Sequence, residues 1–273
     1  MSRILSQIIY KIKQNCNFVI SNILYKKDYF DIIHTERENM NTVLFDLDGT
    51  LLPMDVEEFT KNYFGYIVQT MNENGRDGKF ILKAIGKGVE EIVKNNGTLT
   101  NEEVFWNTFV KFYGENKLCD KTFIDSFYTN EFKNTIASCD DNPYVESIIK
   151  CCHDLNLITV LSTNPIFPKE GTLTRMSFIG LKEADFDYIT TYENSNYCKP
   201  NPLYFKMLLD KFNLKSDEVI LFGNNTYEDG ECALLCGIKC YMVGDYIINH
   251  PKSTHEFEHI SMNEIVDVIK SHL

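Results

Sequence analysis

The sequence predicts an α/β fold: an open parallel sheet with a mainly helical insertion early in the chain. Three observations lead there. Five short apolar runs rich in Val, Ile, Leu, Phe and Tyr have the length of buried strands. From residue 142 onward these runs alternate with helix-like segments, a pattern that suits parallel strands covered by helices on both faces. Between the first and second runs, residues 53–141 carry several amphipathic stretches and no convincing strand.

The strand runs are 42–46, 157–162, 186–190, 218–222 and 239–243. Inside the insertion, 55–71, 80–94, 101–113 and 121–132 read as helices separated by turns containing Gly and Asn. Further helices are expected over 143–156, 168–181, 202–212 and 227–236. Pro202 suits a first helical turn and Gly237 a helix end. The chain therefore divides into an N-terminal extension (1–39), a core (40–52 with 142–273) and a helical insertion (53–141). An insertion at that point sits over the carboxyl ends of the strands, where open α/β sheets bind ligands.

The extension allows three readings. The charges of residues 1–27 are all basic (Arg3, Lys11, Lys13, Lys26, Lys27), and Ile4, Leu5, Ile8, Ile9 and Ile12 mark one helical face. Such a segment can dock on the domain or lie on an anionic membrane surface. It can also be no part of the native product, because Met40 stands directly before the first strand and offers an alternative start.

Apolar residues make up 44% of the 273-residue chain and charged residues 24%, an ordinary globular balance. A formal net charge of −12 argues against a nucleic-acid partner, whose phosphates need a basic footprint. No apolar run is long enough to span a membrane. The nine cysteines show no CxxC spacing, so they read as free thiols of a protein in a reducing, cytoplasmic compartment. Oligomeric state is not legible.

The stretch VLFDLDGTLL (43–52) carries the most chemistry. Asp46 ends an apolar run, and Asp48, Gly49 and Thr50 follow after one residue. Two carboxylates at i and i+2 can approach one ligand where the chain leaves strand geometry, and Gly49 supplies that freedom. A calcium loop starting at Asp46 fails, since its sixth position is Leu51 instead of Gly and a strand precedes it. Three further stretches lie at predicted strand ends or helix starts: ITVLSTNP (158–165), CKPNPLYF (198–205) and LFGNNTYEDG (221–230).

In this order the four stretches resemble motifs I to IV of the haloacid dehalogenase-like hydrolase superfamily, over roughly residues 41–245. The resemblance implies a Rossmann-like core with a helical cap between motifs I and II. It implies that Asp46 is a nucleophile forming an aspartyl-phosphate and Asp48 a general acid/base. The second Asp marks the phosphatases of the family, because its carbon–halogen hydrolases lack it. Thr163, chosen over Ser162 because it directly precedes Asn164, would bind a phosphoryl oxygen. Lys199 would neutralise charge on the nucleophile and the transferring phosphoryl. Asn164 and Gly49 would stand at the substrate, with a turn role for Asn164 equally open.

The resemblance also implies Mg²⁺, held by motif I and motif IV groups: Asp46, the backbone carbonyl of Asp48, Asn225 and Asp229. Here the chain departs from the pattern, since Asn224 and Asn225 are amides where an early acid is expected. One carboxylate fewer weakens metal affinity on the order of tenfold. Two readings of function follow, beside a third, phosphomutase or phosphonate-type chemistry with the same first Asp, for which no stretch of the cap argues. The first is a Mg²⁺-dependent phosphoester hydrolase of a small phosphorylated metabolite. The second is a catalytically weakened protein of the same fold that binds such a metabolite.

Other candidates carry less. Thr226 can cap the helix of motif IV, with Glu228 and Asp229 stabilising its positive end. His255 and His259 have helical i, i+4 spacing but no accompanying acid or Cys pattern for zinc. IGKGVEE (85–91) lacks the spacing of a phosphate loop and reads as a turn entering a helix. Its Lys87 is a candidate for facing substrate from the cap.

Overall fold

The computed structural model describes residues 40–114 and 119–273, so the readings of residues 1–39 lie outside the described residues. Six parallel strands form one sheet in the order β3-β2-β1-β4-β5-β6. They are β1 (Thr42–Phe45), β2 (Ile158–Leu161), β3 (Tyr188–Ile189), β4 (Val219–Gly223), β5 (Lys239–Val243) and β6 (Glu258–Ile260). This is the Rossmann-like order, which reverses direction between β1 and β4 and opens a crevice there. Phe45 pairs with Leu161 on one side and Phe222 on the other, so the residues after these three share one level at the sheet's carboxyl end.

The apolar alternation along the strands builds two layers. Val43 and Phe45 face one buried cluster, while Leu44, Val160 and Leu221 face another on the opposite side of the sheet. The first cluster runs without a break into the helices of the insertion, through Phe59, Tyr63, Ile67, Ile85, Phe105, Phe127 and Phe132.

That insertion consists of α1 (Val56–Glu73), α2 (Gly78–Val93), α3 (Asn101–Tyr113), α4 (Cys119–Thr129) and a 3₁₀ turn (Glu131–Ser138). Local chemistry starts these helices. Asp55 accepts from the Glu57 and Glu58 amides at the head of α1, and Thr100 with Glu103 forms a reciprocal capping box on α3. The chain leaves and re-enters the core along paired linkers: Met54 bridges Cys139, and the Asp140 amide donates to the Pro53 carbonyl at 2.8 Å. The remaining helices are α5 (Val145–Asp154), α6 (Lys169–Ser177), α7 (Leu203–Phe212), α8 (Cys232–Leu235) and α9 (Ile265–Ser271).

Several sequence expectations need correction. β6 has no counterpart among the predicted strands, because two of its three residues are exposed and polar. His259 lies on β6 and His255 in the loop before it, so the two share no helix; His255 pairs with Glu231 at 2.9 Å. The IGKGVEE stretch is the interior of α2, not its entrance. A Cβ at Gly88 would lie 2.4 Å from the Phe105 ring, so this glycine lets α2 and α3 pack closely. The third strand is two residues long, and the segment 121–132 breaks at Asn130. The seven described cysteines are free, and among the described residues no helix is long and apolar enough to cross a membrane.

Candidate active site

The site begins where β1 ends. The Asp46 amide donates to the Phe222 carbonyl at 2.8 Å, as a last strand residue would, and the chain then turns tightly. Thr50 and Leu52 donate to the Leu47 carbonyl at 3.1 and 2.8 Å, and Gly49 donates to that of Leu52 at 2.8 Å. Gly49 has φ +80°, and a Cβ there would lie 2.0 Å from Asn224 Nδ2. Only glycine fits both conditions.

Three charged side chains meet beneath this turn. Lys199 Nζ lies 2.9 Å from Asp46 Oδ1 and 2.6 Å from Asp229 Oδ1, and all three residues are buried. Burial alone would pull the Lys199 pKa down, but the Asp229 and Asp46 carboxylates hold it well above its ordinary value. Burial pushes the Asp46 carboxyl up to about 7, against the pull of Lys199 and with Asp229 and Asp48 pushing the same way. Lys199 reaches this point because Cys198, Tyr204 and Phe205 are buried around the start of α7.

After β2, Ser162 and Thr163 separate cleanly. The Ser162 hydroxyl donates to the Phe45 carbonyl at 3.2 Å, which commits it to the sheet end. Thr163 is buried, and its carbonyl is fixed by the Thr190 hydroxyl at 2.7 Å and the Tyr204 hydroxyl at 3.0 Å. Asn164 Nδ2 donates to Glu228 Oε2 at 3.1 Å, tying this loop to the one after β4.

That second loop is a π turn (Thr226–Glu231), the wide helical turn often found at functional sites, and it leads into α8. Its cap is Asn225, not Thr226: Asn225 Oδ1 accepts from the amides of Tyr227 (3.0 Å) and Glu228 (3.2 Å). Thr226 instead donates to the Ile248 carbonyl at 3.2 Å, because the turn starts one residue earlier than expected. Asp229 points back under the loop, where its Oδ2 accepts from the amides of Asn224 (3.1 Å) and Asn225 (3.0 Å).

The candidate ligand atoms of Asp46, Asp48, Asn225 and Asp229 are all oxygens, the kind a hard cation takes. Asp48 Oδ1, Thr50 Oγ1 and Asn164 Oδ1 are buried without a hydrogen-bond partner, leaving polar atoms for a guest to satisfy. The set fits such a cation, with a qualification. Asn225 Oδ1 and both Asp229 oxygens already serve the framework, so Asp46 and Asp48 carry the larger share of any binding. Among the described residues, no three His, Cys, Asp or Glu side chains converge as a ready-made metal cluster.

Lys87 is not brought to this group: on α2 its ammonium faces Glu90 at 2.9 Å, and 45% of its side chain is exposed. One residue absent from the sequence reading is present. Arg175, on α6, is fully buried and its Nη1 pairs with Asp48 Oδ2. The available signal was a single Arg on a helical face otherwise made by Gly171, Thr172 and Met176. Above it, Tyr63 and Tyr128 from the insertion share a hydroxyl contact of 2.8 Å, and burial pushes the Tyr63 pKa up to about 12.

Comparison with known proteins places the chain in a family. Residues 43–243 match the model of haloacid dehalogenase-like hydrolases. The pyrophosphatase PpaX of Halalkalibacterium halodurans is 24% identical over 240 residues, covering 84% of this chain and 97% of that protein. Among solved structures, 2-haloacid dehalogenase from Pseudomonas syringae pv. Tomato DC3000 shares the fold with a TM-score of 0.57. It is 14% identical, over 85% of this chain and 99% of that one. A HAD phosphatase from Thermococcus onnurineus gives a TM-score of 0.51 at 18% identity, over 84% of this chain and 98% of that one. The chain belongs to the haloacid dehalogenase-like hydrolase family.

Proposed function

We propose that the chain is a Mg²⁺-dependent phosphoester hydrolase that acts on a small phosphorylated metabolite through an aspartyl-phosphate at Asp46. The observation that carries this reading is the second carboxylate. Asp48 stands two residues from Asp46 with Oδ1 buried and unpartnered, a group that acid/base work on a leaving oxygen requires and displacement of a halide does not. The phosphatase and pyrophosphatase relatives support the same direction.

In this mechanism an Asp46 oxygen attacks phosphorus while Lys199 neutralises charge on the nucleophile and the transferring group. Asp48 gives a proton to the departing oxygen and later takes one from the water that releases phosphate. Thr163 is the hydroxyl for a phosphoryl oxygen, since Ser162 is committed to Phe45. Positioning and electrostatics supply most of the rate in such transfers. A bound Mg²⁺ would add charge stabilisation on the phosphoryl oxygens, held by Asp46 and Asp48 with Asn225 and Asp229 as framework. Residues 53–141 act as a cap whose aromatic side chains exclude water. Free thiols and the acidic net charge support a cytoplasmic protein with no nucleic-acid partner.

The second reading, a weakened binder of phosphorylated metabolites, is favoured by one observation: Asn225 supplies no charge and caps the π turn. The experiment that tests the main proposal is hydrolysis of 4-nitrophenyl phosphate with added Mg²⁺. Wild type is expected to turn over and Asp46→Asn to lose that activity; equal activity in the variant would overturn it.

A further inference from the structure

Arg175 is the largest fully buried side chain among the described residues, and a guanidinium carries its charge throughout, so that charge needs a reason. Its surroundings hold it from several directions. Nε donates to the Gly171 carbonyl at 3.2 Å, and Nη2 lies 3.4 Å from Thr172 Oγ1. The guanidinium carbon stands 4.1 Å over the Phe167 ring. The remaining contact is Nη1 to Asp48 Oδ2.

That contact divides the two oxygens of Asp48. Oδ2 is anchored, whereas Oδ1 is buried with no partner. A carboxylate held by one oxygen cannot rotate freely, so the direction of the other is set by the anchor. The anchor itself is fixed, because a guanidinium held over the Phe167 ring and bonded to its own helix has little freedom left.

We infer that Arg175 is a positioning residue for Asp48: by gripping Oδ2 it fixes the carboxyl group that serves the oxygen leaving the phosphoryl group. The inference rests on the phosphoester reading of the site. In that reaction the bond from Asp46 to phosphorus forms as the bond from phosphorus to the leaving oxygen breaks. The electron pair goes to the leaving oxygen, and the Asp48 proton joins it. A weakly basic leaving group departs with little help, whereas a more basic one depends on that proton. General acid/base catalysis is worth about 10²–10⁴-fold, so its misalignment shows most where the proton matters most.

The test is a series of substituted phenyl phosphates, from 4-nitrophenyl to unsubstituted phenyl, assayed with wild type, Arg175→Gln, Arg175→Lys, Asp48→Asn and the Asp48→Asn/Arg175→Gln double variant. Arg175→Gln is expected to lower kcat for every substrate, but about tenfold more for phenyl than for 4-nitrophenyl phosphate, with KM little changed. Asp48→Asn should show the same pattern. Arg175→Lys, which keeps the charge, should recover part of the loss. The double variant should be no slower than Asp48→Asn alone, because both changes remove one function. A uniform loss across the series, or additive losses in the double variant, would assign Arg175 a merely structural role and overturn the inference. If Asp46→Asn kept wild-type turnover, the phosphoester reading itself would fail, and this inference with it.

Discussion

Replacing Asn225 with Asp tests how much the motif IV amide limits the site. In the structure Asn225 Oδ1 takes two backbone amides, at 3.0 and 3.2 Å. Asp caps as well as Asn, so the variant keeps this oxygen and places a charged one where Nδ2 now stands. One unit charge about 4 Å from a divalent ion gains roughly 8 kcal/mol at an effective dielectric of about 20. Desolvation and repulsion from Asp229, which already accepts from the Asn225 amide at 3.0 Å, offset much of that gain. A net of about 1.4 kcal/mol remains a modest expectation, and it corresponds to a tenfold change in affinity. The assay is a Mg²⁺ titration of turnover, paired with the Mg²⁺-dependent rise in Tm as a readout that needs no catalysis. Asn225→Asp should lower the half-saturating Mg²⁺ about tenfold and leave the metal-free Tm within a few degrees. An unchanged half-saturation in a folded variant would refute the reasoning, and so would a wild type already saturated at micromolar Mg²⁺.

Three further outcomes follow from the same geometry. Asp229→Ala removes the acceptor of Lys199 and of two backbone amides; urea unfolding should show a loss of about 3–5 kcal/mol, as for other broken buried ion pairs, and a loss below about 1 kcal/mol would contradict its role as the hub. Gly49→Ala puts a methyl 2.0 Å from Asn224 Nδ2 at φ +80°; left-handed strain and overpacking together cost about 2–5 kcal/mol, read as a lower denaturation midpoint with turnover falling in parallel. Burial raises the Asp46 pKa from 3.8 to about 7, and a carboxyl raised on folding stabilises fully below its unfolded value and loses that contribution as pH rises through the folded one. Chelator-treated wild type should therefore lose stability between about pH 4 and pH 7 in a way that Asp46→Asn does not; parallel Tm profiles of the two proteins would count against this.

The four motifs are legible because each is a local pattern at a strand end or helix start, where side-chain identity and backbone direction are read together. Asp46, Lys199 and Asp229 converge as that reading requires, although they lie far apart in the chain. What escapes the sequence is partnership. Arg175 looks like a surface residue until its helix is packed, and no local pattern says that its partner is Asp48, 127 residues earlier. Asn225 looks like a lost acid, while its capping role depends on a π turn that spacing alone does not announce. The docking of α3 onto the core, with Asn101 Nδ2 on the Pro165 carbonyl at 3.1 Å and the Glu102 amide on that of Tyr192 at 2.8 Å, is invisible for the same reason. Strand β6 is missed on different grounds: three residues with two exposed carry no apolar signal.

The charges of the site set a condition on the proposed phosphoryl chemistry. Asp46 and Asp229 share one buried ammonium, that of Lys199, and Asp48 is paired with the buried guanidinium of Arg175. Three carboxylates against two fixed cations leave the cluster one negative charge in excess when all are ionised. A phosphate ester brings further negative charge, so binding it needs an added cation or protonation of a carboxylate. A divalent ion would reverse the excess. A halide leaving from carbon needs neither Asp48 nor its guanidinium partner, and a buried pair of that kind costs desolvation to keep. On the proposed mechanism the pair holds Asp48 in place for the oxygen that leaves.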